Sequence, residues 1–84
     1  MDKEESKRII EALLFVGDKP VSIDTLRDVV KEIEPTEVRA IIEDLNKDYA
    51  ASGRSFNIKE IAGGFQMLTD PIYSRWIAAL YKKG

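Results

Sequence analysis

The run Glu60-Ile61-Ala62-Gly63-Gly64-Phe65-Gln66-Met67-Leu68-Thr69 joins two short β-prone segments through a pair of glycines. Adjacent glycines between such segments are a strong hairpin signal. Both central residues of a type I′ turn need φ > 0, which glycine adopts without steric cost. With Gly63-Gly64 at the turn, Ala62 is expected opposite Phe65, Ile61 opposite Gln66, Glu60 opposite Met67 and Lys59 opposite Leu68. Alternation then places Phe56, Ile58, Phe65 and Met67 on an inner face, with Glu60 as an intruder. The outer face takes Asn57, Lys59 and Gln66, but also Ile61 and Leu68, which that register makes diagonal neighbours.

Working outward, three helical segments precede the hairpin and one follows it. The first is expected from Asp2 or Lys3 to Val16, with Gly17 as its C′ residue. Its main stripe is Ile9, Ala12, Leu13 and Val16, widened by Ile10 and Leu14, while Phe15 falls on the far side. Gly17-Asp18-Lys19-Pro20 reads as a turn, and Pro20-Val21 as a brief strand that joins the hairpin. Ser22 is a good N-cap for a second helix from Ile23 to about Ile33. Glu34-Pro35-Thr36 breaks that helix, and Thr36 is expected to cap a third from Glu37 to about Ala51. Its stripe of Val38, Ile41, Ile42, Leu45 and Tyr49 follows the helical period closely. After the hairpin, Asp70-Pro71 pairs a capping aspartate with proline at the first helical position, opening a helix to about Lys82. A helical trio with a helix-turn-helix pair, then a hairpin wing and a last helix, is an α+β winged helix over residues 1–84.

The totals suit one small domain. The 84 residues are 44% hydrophobic and 33% charged, unlike a disordered chain. With no histidine and no cysteine, the commonest general base, nucleophile and transition-metal ligands are missing, which argues against an enzyme and against a metal site. No cofactor motif is present: Gly63-Gly64 joins two strands and does not open a helix as a phosphate loop does. The absence of cysteine suits the cytoplasm. The charged opening Asp2–Arg8 is unlike a signal peptide, and no apolar run is long enough to span a membrane.

A winged helix that reads DNA lays its third helix in the major groove. Here that helix carries Glu37, Glu43, Asp44 and Asp48 against only Arg39 and Lys47, and the whole chain has a formal charge of −2. Phosphate contacts need a basic surface. The alternative function, a DNA-binding regulator, would rest on Arg39, Lys47, Arg54 and Lys59, and the charges argue against it.

A protein-interaction role accounts for more of the pattern. In the last helix, Ile72, Trp76, Ala79 and Leu80 make one stripe and Tyr73, Ile77 and Tyr81 a second, an apolar arc wider than one core contact requires. Trp76 is expected to plug the core. Leu14, Phe15, Ile61, Leu68, Tyr73, Ile77 and Tyr81 are the candidate protein interface.

Two further stretches carry a resemblance. Ile10-Glu11-Ala12-Leu13-Leu14-Phe15-Val16 followed by Lys19-Pro20-Val21-Ser22, and Ala62-Gly63-Gly64-Phe65-Gln66-Met67-Leu68-Thr69 followed by Pro71, Tyr73 and Trp76, resemble the first winged-helix domain of segregation and condensation protein B. Their order and spacing cover nearly the whole chain. The resemblance implies a non-enzymatic subunit of the SMC condensin complex in chromosome condensation and segregation. It further implies a homodimer that binds the kleisin subunit, segregation and condensation protein A, and through it SMC, in the cytoplasm at the nucleoid. No membrane or small-molecule substrate is implied. A second winged-helix domain is expected beyond residue 84, which makes this chain the N-terminal half of a two-domain protein.

Overall fold

The computed structural model describes residues Met1–Lys83. Helix α1 spans Lys3–Val16, α2 Ile23–Val29 and α3 Pro35–Ala51; strands β1 (Phe56–Ile61) and β2 (Gly64–Thr69) form an antiparallel hairpin. A 3-10 turn, Pro71–Tyr73, then leads into α4, Ser74–Lys83. This is the winged helix expected from the sequence.

The core is built as periodicity dictates. All five residues of the α3 stripe, Val38, Ile41, Ile42, Leu45 and Tyr49, are buried, together with Leu26, Val30, Ile33, Ile58 and Phe65. Three local starts are held by side chains. The Asp2 carboxylate accepts from the Glu5 N–H at 2.8 Å, the Ser22 hydroxyl from the Thr25 N–H at 3.1 Å, and the Asp70 carboxylate from the Ile72 N–H at 3.1 Å.

Several boundaries differ from expectation. Helix α3 begins two residues earlier than Thr36 as a cap allows: Glu34 is the N-cap, Pro35 takes the first helical position, and the Glu37 carboxylate accepts from the Glu34 N–H at 3.3 Å. Helix α2 ends at Val29, short of Ile33, because Glu32 turns into the left-handed region at φ 64°. The Arg27 guanidinium donates to the Ile33 carbonyl at 2.7 Å across that turn, so Val30 and Ile33 still reach the core. Gly17 closes α1 in an extended conformation rather than the left-handed C′ geometry.

Helix α1 is rotated from its expected seating. Ile10 and Leu14 form its buried line, with Ser6 and Lys7 above them, while Val16 is 76% exposed. That seating carries two polar contacts to α3, with Ile9 and Leu13 half-buried beside the core: Lys7 Nζ meets the Asp48 carboxylate at 2.7 Å, and the Tyr49 hydroxyl donates to Glu11 at 2.6 Å. A buried lysine is tolerated only with such a partner.

The hairpin register also differs, instructively. The pairs are Ile61↔Gly64, Glu60↔Phe65, Lys59↔Gln66, Ile58↔Met67, Asn57↔Leu68 and Phe56↔Thr69. The turn is therefore Ala62-Gly63, with φ values of 49° and 78°. Gly64 serves another purpose. A Cβ on it would stand 2.8 Å from the Val21 carbonyl carbon, so its bare backbone admits the Pro20-Val21 segment. That segment joins the wing as expected, through Val21–Phe65 hydrogen bonds of 2.8 Å in both directions. Moving the turn by one residue shifts each cross-strand partner by two, which preserves the faces, so Ile58 and Phe65 point into the core as alternation requires. Asn46 of α3 brackets β1, donating to the Ile58 carbonyl at 2.9 Å and accepting its N–H at 2.8 Å.

Candidate protein-interaction surface

Helix α4 leaves the body of the domain. None of its residues is buried; Trp76 is 59% exposed, Leu80 69% and Tyr81 79%. The radius of gyration is 14.0 Å, against about 12 Å for a compact chain of this length. Trp76 therefore does not plug the core; its indole instead packs beneath the Arg75 guanidinium, 4.4 Å from the ring centre. The cause lies at the junction. Asp70 caps the 3-10 turn, its own N–H is held by the Ser55 carbonyl at 2.8 Å, and Pro71 fixes the backbone angle, so the helix is aimed outward.

The candidate interface residues are not brought into one patch. Leu14 is 1% exposed and belongs to the core, packed beside Ile10, so it is unavailable for an interface in the folded monomer. Phe15, one residue on, is 74% exposed. Ile61 and Leu68 are not diagonal neighbours in the true register: Leu68 faces Asn57, four residues along β1 from Ile61, a separation of roughly 13 Å. Tyr73 closes the 3-10 turn and Ile77 and Tyr81 lie on α4, the two together forming a projecting arm, with Tyr73 and Tyr81 exposed and Ile77 half-buried.

A groove of about 320 Å³ opens on the body beside Phe15. It is lined by Arg8, Glu11, Ala12, Phe15 and Val16 of α1, Tyr49 of α3, and Phe56 and Met67 of the hairpin, and is almost wholly apolar. The aromatic floor is ordered by an edge-to-face contact of Tyr49 and Phe56 at 4.9 Å. Its polar rim is internally paired, since Arg8 bridges Glu11 at 2.9 Å and Glu4 at 3.1 Å. The hydrogen bond from Tyr49, aided by Arg8, holds the Glu11 carboxyl below the usual carboxylate range; burial, with Glu11 beside it, pushes the Tyr49 hydroxyl up. Val16, Ala12 and the groove floor were not singled out as a surface from sequence, because their apolar character reads equally well as core.

The DNA alternative loses its central base. Both terminal nitrogens of Arg39 lie 3.3 Å from the Glu60 carboxylate, and its guanidinium sits 5.5 Å from the Phe65 ring centre. That contact also explains the acidic intruder on the inner wing face. Arg54 and Lys59 line a separate cavity of about 240 Å³ with Asn46, Asn57 and Asp70, which neither Arg39 nor Lys47 reaches. Of the four candidate bases, Arg39 is already paired with a carboxylate, which weakens the basic surface that phosphates require. Among the described residues no three acidic, histidine or cysteine side chains are grouped to hold a metal, and no helix is long and apolar enough to cross a membrane.

The profile of the segregation and condensation complex subunit ScpB matches residues 8–84. The chain belongs to the ScpB family. Segregation and condensation protein B of Syntrophotalea carbinolica is 36% identical over 81 residues, which are 96% of this chain and 41% of that protein. The crystal structure of ScpB from Mycobacterium tuberculosis superposes with a TM-score of 0.87 at 26% identity, covering all of this chain and 52% of that one. A crystal structure of the dimer of an ScpB N-terminal domain complexed with a ScpA peptide superposes with a TM-score of 0.78 at 31% identity, covering 92% of this chain and 95% of the other. The chain thus spans about two fifths of its curated ScpB relative, and nearly the whole of an ScpB N-terminal domain.

Proposed function

We propose that this chain is the N-terminal, dimerising domain of an ScpB subunit, a non-enzymatic scaffold that associates with a ScpA-type kleisin and through it with SMC in chromosome condensation and segregation. The observation that supports it most is the match, nearly end to end, to an ScpB N-terminal domain crystallised as a dimer with a ScpA peptide. The exposed apolar arm agrees with that reading, since monomers rarely leave so large a contiguous apolar surface open to water. A two-fold dimer uses the same patch on both subunits, and the pair fixes the spacing of whatever binds it. Interface roles for Phe15, Ile61, Leu68, Tyr73, Ile77 and Tyr81 belong to this proposal. So does a second winged-helix domain in the whole protein, located at the nucleoid in the cytoplasm.

Size exclusion with light scattering tests the first step, with an expected mass near twice 9.5 kDa. Titration with a peptide from the ScpA of the same organism tests the second. A chain that stays monomeric at high micromolar concentration and ignores the peptide would overturn the reading. Tight DNA binding with a steep salt dependence would replace it by the regulator.

A further inference from the structure

We draw no further inference here: the strongest candidate, the polar cavity between the end of α3 and strand β1, carries nothing, because its basic residues Arg54 and Lys59 are exposed, its Asn46 and Asp70 side chains are already bonded within the chain, and the unpartnered Asn57 side-chain oxygen beside it is too deeply buried to meet a ligand.

Discussion

Arg39 of helix α3 holds Glu60 of strand β1 through two contacts of 3.3 Å, and the pair crosses from the helix that would read DNA under the alternative function to the wing beside it. A base that is forked onto a carboxylate is already neutralised where a phosphate would sit. Both side chains are about half exposed, 54% and 53%, so the pair adds little to stability. Glu60→Gln is expected to change unfolding free energy by less than about 1 kcal/mol. Urea denaturation measures this. Because Glu37, Glu43 and Asp44 remain on the same helix, Glu60→Gln should also leave DNA affinity weak, as anisotropy at low salt would show.

The two glycines of the wing tip should respond differently to the same substitution. Gly63 is left-handed at φ 78° with open space around it, so Gly63→Ala carries only the conformational penalty, about 1–2 kcal/mol. Gly64 has ordinary backbone angles, but its added methyl would meet Val21 backbone atoms at 2.8 to 3.0 Å. Gly64→Ala must push the Pro20-Val21 segment off the wing and cost the Val21–Phe65 hydrogen bonds, roughly 3 kcal/mol or more. Thermal melts of the two variants would rank them, and equal losses would contradict the assigned roles.

The ionic clasp between α1 and α3 predicts the pH profile. Glu11 and Asp48 titrate below their ordinary values, held there chiefly by the Tyr49 hydroxyl and by Lys7 respectively. A depressed carboxylate contributes stability that is present above its unfolded value and lost as pH falls through its folded one. Lys7 is raised by its bond to Asp48, and Tyr49 by burial and Glu11. Their contribution is complete below about pH 10 and disappears on further alkalinisation. Stability should thus form a plateau between the carboxylate range and about pH 10. Tyr49→Phe should lower that plateau by about 1.5 kcal/mol and flatten its acid edge, because Glu11 then loses the donor that depresses it. Chemical denaturation from pH 3 to 7 checks both effects.

What could be read in advance follows from which signals are local. The α3 stripe was legible because five apolar residues at helical spacing leave one solution, and the wing faces survived a misplaced turn because strand alternation has period two. The turn itself was misplaced because Gly64 is needed for a neighbour far away in sequence, Val21, and not for its own φ. The rotation of α1 was hidden for a similar reason. Nothing local to Lys7 reveals that Asp48, forty-one residues later, will neutralise it inside the fold. Trp76 marks the limit of periodicity: an amphipathic helix that packs on its own domain and one that projects from it have the same pattern. Only the Asp70-Pro71 junction decides between them.

Leu14 and Phe15 give the sharpest test of that limit, being adjacent in sequence, both apolar, and 1% against 74% exposed. Leu14→Ala opens a cavity between α1 and the α3 stripe and is expected to destabilise the fold by about 2–5 kcal/mol, a large share of what so small a domain has. Phe15→Ala removes a ring from the surface, so the unfolding free energy measured under monomeric conditions should move by less than about 0.5 kcal/mol. Its effect belongs to assembly. If the groove beside Phe15 receives a second copy, Phe15→Ala should weaken dimerisation roughly tenfold at constant fold, read by sedimentation across a dilution series. Leu14→Ala should instead lower the melting temperature at every concentration. Were Phe15→Ala to unfold the monomer, α1 would be seated the other way round, and both the core and the groove described above would be wrong.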